Sequence, residues 1–239
     1  MKNKDSIPKA TIERLPLYYR CLDKLDTFEE VDVVSSKELG GRLGIPPTQV
    51  RKDLSYYGEF GRRGVGYNVH DLKKSVGEIL GVDQKWSTVL VGAGNLGRAL
   101  VNYDGFAKMG LEVVGVFDND LNKIDNRIGD LTVKSTQEMK EVIEEKDAKV
   151  GIIAVPEDVA QNVADSLVRA GIKALWNFAP TRLYVPEDVT VRNEDLAVGI
   201  VSLIYHLSWQ EKEDLEETLQ ERSEEADKAS PENQEDDEK

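Results

Sequence analysis

Gly92-Ala93-Gly94-Asn95-Leu96-Gly97 carries the glycine spacing that most directly indicates the fold class of this chain. It stands between a short apolar run at residues 88–91, typical of a buried strand, and a segment with helical character. Glycines at this spacing permit a tight turn, a close backbone approach to a pyrophosphate, and close packing of a helix on a strand. The same trio can also close an ordinary turn or hold another nucleotide, so the residues around it matter.

Those surroundings favour NAD. Asp118 ends the next apolar run and lies 21 residues after Gly97, where a carboxylate accepts hydrogen bonds from ribose hydroxyls. An NADP site would favour a nearby arginine, but Asn119 and Asp120 follow instead.

Apolar runs then alternate with helical segments up to residue 177, which predicts a doubly wound parallel sheet. We expect a loop from residue 118 to a helix that starts near residue 136. Ligands bind at the carboxyl ends of such strands. The expected cofactor residues are Gly92, Ala93, Gly94, Asn95, Leu96, Gly97, Asp118, Val155, Pro156, Asn177 and Phe178.

The net charge of −14 is distributed unevenly along the chain. Residues 210–239 carry −10 and residues 81–209 carry −6, whereas residues 1–80 carry +2. Five basic residues against two acidic ones occur within residues 42–63, which form a local positive strip. The overall acidity therefore does not exclude a nucleic-acid partner for the first eighty residues.

Helical periodicity and turn signals divide this first part into a helix-turn-helix. Ile12, Leu15, Tyr19, Leu22 and Leu25 recur on one face of a first helix. A capping box at residues 35–38 opens a second helix, glycine stops it at position 44, and prolines precede a third helix. A glycine-bounded hairpin with an alternating strand follows at residues 60–69, so the pattern predicts a winged helix.

The third helix buries Val50, Leu54 and Tyr57 and leaves polar side chains outside that could contact phosphates and base edges in a major groove. The arginines of the hairpin could enter a minor groove. The expected DNA-binding residues are Gln49, Arg51, Lys52, Ser55, Tyr56, Arg62 and Arg63. Each of them has an ordinary alternative interpretation as a solvated surface residue.

Residues 197–209 form a helix without a polar stripe, so most of its sides must be covered. We infer a homodimer in which the helix of each chain packs on its partner. The alternative is a helix buried between the domains of its own chain. The domains we expect are 1–80, winged helix; 85–195, Rossmann-like NAD(H)-binding; 196–215, the dimer-exchanged helix; and 216–239, an acidic, disordered tail.

The sequence carries no signal for a disulfide, a membrane-spanning segment or a metal site. The single cysteine, Cys21, lies on an apolar helix face, which indicates a buried thiol, no disulfide and a reducing, cytoplasmic environment. No signal-peptide pattern opens the sequence and no apolar stretch is long enough to span a bilayer. His70 has no second ligand nearby, so we expect no metal.

Several segments in order resemble the Rex family of redox-sensing transcriptional repressors. They are residues 14–20, 49–56, 63–67, 92–97 and 177–180, and the resemblance covers residues 7–209. It implies an α/β homodimer that binds a palindromic operator when NADH is scarce and releases it when NADH, in competition with NAD+, is bound. It also implies a state-dependent contact that couples the two sites, made by Arg20, Tyr103 and Asp195 of the partner subunit. The acidic extension after residue 210 departs from the family pattern.

Two alternatives belong to other functional classes. The first is an NAD-dependent dehydrogenase with an N-terminal appendage, but hydride transfer needs a proton donor at the cofactor, and neither His70 nor His206 is placed for this in the sequence. We therefore expect no catalytic residues. The second is a nucleotide sensor that acts on a protein partner; failure to retain any DNA from a random-sequence selection would favour it.

Overall fold

The computed structural model describes residues 7–62 and 64–229. Their helices and strands form an N-terminal domain (residues 7–80), a sheet domain (residues 86–193) and a C-terminal helix. The elements of the N-terminal domain are α1 (Lys9–Thr27), β1 (Val33–Val34), α2 (Ser36–Leu43), α3 (Pro47–Ser55), β2 (Gly61–Arg62), β3 (Gly66–Asn68) and α4 (Val69–Leu80).

The N-terminal domain has the predicted winged-helix architecture. Its three short strands form an antiparallel sheet in the order β1-β3-β2. The hydroxyl of Ser35 accepts a hydrogen bond from the Glu38 amide at the start of α2, and Gly44 ends this helix in the left-handed conformation. A short turn then leads into α3, which begins at Pro47.

The buried face of α1 differs from the predicted one. Leu15, Leu22 and Leu25 are buried as expected, but Ile12 is exposed and Tyr18, rather than Tyr19, is fully buried. Positions 15, 18, 22 and 25 also follow a helical period, so spacing alone could not separate the two tyrosines. Tyr18 is the buried one because its hydroxyl donates to Asp53 in the domain interior.

The sheet domain is built on seven strands in the order β10-β9-β8-β4-β5-β7-β6. All neighbouring strands are parallel except the pair β6 and β7. The elements are β4 (Trp86–Val91), α5 (Asn95–Val101), β5 (Leu111–Asp118), β6 (Arg127–Ile128), β7 (Leu131–Ser135), α6 (Met139–Glu145), β8 (Val150–Ile153), α7 (Glu157–Arg169), β9 (Ala174–Asn177) and β10 (Thr190–Asn193).

Three of these strands were missed by the sequence analysis. The predicted loop after residue 118 contains β6 and β7, and the sheet continues past β9 to β10. The missed strands are short or lie at the sheet edges; β10, for example, is mostly exposed. They therefore lack the continuous apolar run that marks a strand buried on both faces.

The C-terminal helix α8 (Leu196–Ala229) is one continuous helix. The helix includes residues 216–229, which we predicted to belong to a disordered tail, and residues 230–239 lie outside the described part of the chain. Apolar side chains of its first half, such as Ile200, Leu203 and Trp209, are each more than half exposed in the single chain. The alternative of a helix buried within its own chain is thus contradicted.

Candidate functional site

The outer face of α3 carries the side chains that were predicted to read DNA. Arg51, Lys52 and Ser55 are exposed, whereas Gln49 and Tyr56 are half-buried. Val50 and Leu54 are buried behind them, so the helix is oriented as the sequence predicted.

Several of these side chains are already engaged within the domain. Gln49 donates its amide to Asp53 over 2.7 Å, and Arg51 donates to the Ser36 hydroxyl over 2.8 Å. The Ser55 hydroxyl donates to the carbonyl oxygen of Lys52 over 2.7 Å. These contacts limit the orientations from which Gln49 and Arg51 can approach a ligand.

Asp53 is the residue in this region that the sequence analysis missed. It is fully buried and accepts hydrogen bonds from Thr11 (3.0 Å), Tyr18 (2.8 Å), Gln49 and the guanidinium of Arg14, whose two bonds measure 2.6 and 2.8 Å. The available signal was its spacing, since position 53 falls on the same helical face as Val50 and Leu54. An acid on an apolar face requires partners, and α1 supplies three of them.

The ionisation of Asp53 depends on these partners. Burial by itself raises the pKa of this carboxyl, but hydrogen bonds from Arg14, Tyr18, Gln49 and Thr11 outweigh burial and lower the pKa to about 2. The carboxylate is therefore charged at neutral pH and binds α3 to α1.

The hairpin between β2 and β3 stands beside α3. A groove of about 630 Å³ separates the two, and Arg51, Ser55 and Arg62 contribute to its wall. Gly66, at the base of the hairpin, has a φ of 112°, and a Cβ there would lie 2.7 Å from the carbonyl oxygen of Val34. Arg62 is exposed, whereas Arg63 lies outside the described residues.

The glycine-rich stretch connects β4 to α5 at the point where the sheet changes direction. Strand β4 has β5 on one side and β8 on the other, which is the switch point where doubly wound sheets bind ligands. A Cβ on Gly92, whose φ is 107°, would collide with the carbonyl oxygen of Ala154, and a Cβ on Gly97 would collide with that of Gly92.

Gly94 is different, because a Cβ there would meet no protein atom within 4 Å. The first and third glycines are thus required by the fold, whereas the second borders open space. This arrangement fits a ligand whose phosphates approach the backbone at Gly94.

A cleft of about 750 Å³ opens at this point, a size typical of a small-molecule site. Five of the predicted cofactor residues lie in its wall, namely Gly92, Gly94, Asp118, Val155 and Pro156. The sequence analysis missed several polar wall residues, namely Lys123, Thr136, Gln137, Asn162 and Ser166. They come from segments without a glycine signature, so only the fold brings them to the cleft.

Asp118 occupies the end of β5 in this wall. One carboxylate oxygen accepts from the Ala93 amide (2.8 Å) and from Lys123 (3.0 Å), and the other accepts from the Asp120 amide (2.9 Å). Burial raises the pKa of Asp118, but these hydrogen bonds outweigh burial and lower the pKa overall. An ionised acceptor that borders the cleft fits a ribose hydroxyl.

The other predicted cofactor residues lie around the cleft rather than in its wall. Ala93 is buried beside Asp118, Asn95 and Leu96 start α5, and Gly97 packs on β4. Asn177 is buried, and its amide donates to the carbonyl oxygens of Ala179 and Thr181 and to the side chain of Asn193. Its side chain therefore shapes the loop at the end of β9.

Phe178 belongs to a row of aromatic rings. Its ring centroid lies 4.7 Å from that of Trp176, which lies 5.7 Å from Phe106, and Phe106 in turn lies 5.0 Å from Tyr103. The row connects two predicted residues, Phe178 and Tyr103, that lie 75 positions apart in the sequence.

The three residues predicted to couple the sites lie on separate elements. Arg20 is exposed on α1, and Tyr103 follows α5 with 59% of its surface exposed. Asp195 precedes α8 and accepts a hydrogen bond from the Ala197 amide over 2.9 Å. Their joint contact with a partner subunit stays a prediction.

The described residues hold neither a metal-binding cluster nor a membrane-spanning helix. Residues 7–62 and 64–229 contain no cluster of three or more histidine, cysteine or acidic side chains suited to a metal ion. In the same part of the chain, no helix is both long and apolar enough to cross a membrane.

Comparison with known proteins assigns both domains. A family model described as a putative DNA-binding protein N-terminus matches residues 6–55, and one described as a CoA binding domain matches residues 83–181. The redox-sensing transcriptional repressor Rex of Desulforamulus reducens is 51% identical over 86% of this chain and 98% of its own length. Its counterpart in Pelotomaculum thermopropionicum is 49% identical, over 87% of this chain and 97% of its own.

Solved structures of a Rex-family repressor named RSP match the whole architecture. Its complex with NAD+ and operator DNA superposes with a TM-score of 0.81 at 39% identity, covering 90% of this chain and 97% of that one. Its complex with NADH has a TM-score of 0.78 at 38% identity, covering 90% and 99%. The chain belongs to the Rex family of redox-sensing transcriptional repressors.

Proposed function

We propose that this protein is an NADH-responsive transcriptional repressor that binds a palindromic operator as a homodimer and leaves it when NADH binds. One observation carries the proposal: a winged helix with an exposed basic face and a dinucleotide cleft occur in one chain of this family. NADH is the effector, and NAD+ competes for the same cleft.

On the DNA side, α3 enters the major groove with Gln49, Arg51, Lys52 and Ser55, together with Tyr56 directly after its end. Arginine and lysine pair with guanine or phosphate, and glutamine pairs with adenine. Arg62 extends from the hairpin toward the minor groove, and Arg63, which lies outside the described residues, remains a predicted DNA-binding residue. Two such domains in a dimer read two half-sites, which explains a palindromic operator.

On the nucleotide side, the backbone near Gly94 holds the pyrophosphate and Asp118 accepts from the adenosine ribose. Val155 and Pro156 line the middle of the cleft, and the loop at Asn177 and Phe178 lies toward the nicotinamide end. The two oxidation states differ there in one positive charge and in ring planarity, so groups near that ring discriminate between them.

The exposed apolar face of α8 supports the homodimer. Side chains such as Val198, Leu203 and Leu207 are more than half exposed in the single chain, and monomeric proteins rarely leave large contiguous apolar surfaces uncovered. A second copy of the chain, with its own α8 exchanged, covers them. Arg20 and Tyr103 of one subunit then meet Asp195 of its partner, which couples the cleft to the DNA-binding domain.

Release follows from differential binding. NADH shifts the equilibrium only by the ratio of its affinities for the two arrangements, and equal affinities would switch nothing. A coupling free energy of about 1 to 3 kcal/mol is typical and weakens operator binding about 5- to 150-fold.

We place the protein in the cytoplasm, with the DNA it regulates, and as a regulator rather than an enzyme. Hydride transfer needs a proton donor at the cofactor. Among the described residues, neither His70 nor His206 lies in the wall of the cleft.

A random duplex library, selected with and without NADH, tests the proposal. We expect enriched palindromes that the purified protein binds without NADH and releases with it. Equal binding of the enriched duplex whatever the oxidation state of the coenzyme would contradict the proposal. Recovery of no DNA at all would favour a sensor that acts on a protein partner.

A further inference from the structure

Residues 192–195 lie where three parts of the molecule meet. Arg192 and Asn193 end β10, the edge strand that pairs in register with β9, and Asp195 precedes α8. The side chains and backbone of this short segment contact both the nucleotide side and the DNA-binding side of the same chain.

The contact with the nucleotide side passes through Asn177. Its side-chain amide donates to the side chain of Asn193 over 2.9 Å, and its carbonyl oxygen accepts from the Glu194 amide over 2.8 Å. Asn177 precedes Phe178 at the carboxyl end of β9, the edge of the sheet where a ligand binds. These two hydrogen bonds connect the loop at Phe178 to residues 193 and 194.

The contact with the DNA-binding side passes through Arg192. Its guanidinium lies 3.1 Å from a carboxylate oxygen of Glu13 on α1, across 179 positions of sequence. The next residue of α1, Arg14, makes the double hydrogen bond to Asp53 of α3. Glu13 is thus one residue from the contact that fixes the position of the recognition helix.

The ion pair is suited to being made and broken. Its side chains are 57% and 48% exposed, and Arg192 has a second acceptor, Glu194, at 2.7 Å. If Glu13 moves away, Arg192 keeps one carboxylate partner, so the loss of the interdomain contact leaves no buried charge unpaired. Exposed pairs contribute little to stability, about 0.2–1 kcal/mol, which is enough to bias an equilibrium between two domain arrangements.

We propose that the Glu13–Arg192 ion pair holds the N-terminal domain in the operator-competent arrangement, and that Glu13 and Arg192 are positioning residues for release by NADH. The direction rests on this chain itself, in which the pair is formed while Arg14 and Asp53 hold α3 against α1. The inference rests on the proposed function, and it adds a contact within one subunit to the contact expected between subunits.

Linkage defines the expected result. Without the pair, the operator-competent arrangement loses population, so operator affinity falls while NADH affinity rises. We expect Glu13→Gln and Arg192→Gln each to change both affinities by about two- to fivefold, in opposite directions. The double variant should match either single variant, because both substitutions remove the pair that joins the two domains, whereas their other partners, Lys9 and Glu194, are near neighbours in the sequence.

The measurements are fluorescence anisotropy of a labelled operator without NADH, NADH affinity without DNA, and the NADH concentration that releases half of the operator. Lys173→Gln is the matched control, since it breaks an exposed pair with Asp188 (2.6 Å) that lies within the sheet domain. We expect it to leave all three values unchanged.

The possible results separate this inference from the proposed function. If the unmodified protein does not respond to NADH, the proposed function fails and the inference fails with it. The inference alone is overturned if the unmodified protein responds to NADH but the variants weaken both operator and NADH affinity or change neither. It is also overturned if the effects of the two substitutions add in the double variant, because the pair then has no part in release.

Discussion

Each of the two domains buries one aspartate, and the two carboxylates have different surroundings. Asp53 is fully buried and accepts only from side chains, three of them on α1. Asp118 accepts from two backbone amides and one lysine, and it borders an open cleft. The same chemical group thus serves packing in one domain and faces a ligand site in the other. We call Asp53 with its hydrogen-bond partners the closed site, and Asp118 with the cleft beside it the open site.

The largest effect is expected at the closed site. Asp53→Ala leaves Tyr18 and the largely buried Arg14 without their shared acceptor, and removing one partner of a buried pair costs about 3 kcal/mol. Hydrogen exchange of α1 and α3 amides should show this loss, and operator binding should disappear. The variant should still bind NADH. Loss of NADH binding would mean that damage to the N-terminal domain also disrupts the cleft of the sheet domain.

The open site should show the reverse pattern. Gly94→Val meets no protein atom at its Cβ, so the protein folds, but the side chain fills space that the pyrophosphate needs. We expect NADH affinity to fall about a hundredfold and the operator complex to become insensitive to NADH, since overpacking a site costs about 1–3 kcal/mol. Gly41→Ala, also unobstructed, is the control for the loss of a glycine. Release at unchanged NADH concentrations would place the coenzyme elsewhere.

Acid should weaken the closed site over a defined range of pH. The pKa of Asp53 is about 2 in the folded protein and about 3.9 in an unfolded chain, so its contribution to the free energy of unfolding is complete above pH 4. It is lost as the pH falls from about 4 to 2, and it amounts to about 2–3 kcal/mol. Urea unfolding of the unmodified protein and Asp53→Asn should give curves that converge in this range. A constant difference would show that the charge of Asp53 is not the stabilising feature.

A matched substitution at the open site should mainly affect binding. Asp118→Asn keeps the size of the side chain but removes the charged acceptor, and we expect NADH affinity to fall about tenfold, the value of one charge-assisted hydrogen bond. Calorimetry with NADH, alongside thermal unfolding, measures both effects. If Asp118→Asn lowered the free energy of unfolding as much as Asp53→Asn does, the two carboxylates would not differ in role.

The smallest effect is expected on the exposed face of α3. Lys52→Ala removes one phosphate contact, so operator affinity should fall a few-fold and the slope of log affinity against log salt should decrease by about 1. Titrations at several salt concentrations test this, with NADH affinity as the control. An unchanged slope would remove Lys52 from the DNA interface.

Sequence patterns predicted the elements whose signals are local. The glycine spacing at residues 92–97 identified the nucleotide fold, and the turn signals at residues 35–47 identified the helix-turn-helix. The prediction failed where partners are distant: the spacing placed Tyr19, not Tyr18, on the buried face of α1, because the acceptor of Tyr18, Asp53, is 35 residues away. It failed for the same reason at β7, since this short strand is defined by the two strands it pairs with, β5 and β6.

By itself, the sequence determined the fold class, the basic character of the first domain and the position of the cleft, because periodicity, charge and glycine spacing act over a few residues. Three features could be seen only in the folded chain. They are that Asp53 is fully buried while Asp118 borders the cleft, that polar residues such as Lys123 reach the cleft, and that Arg192 contacts Glu13. These features depend on contacts between segments far apart in the chain, and such contacts leave no periodic trace in the order of the residues.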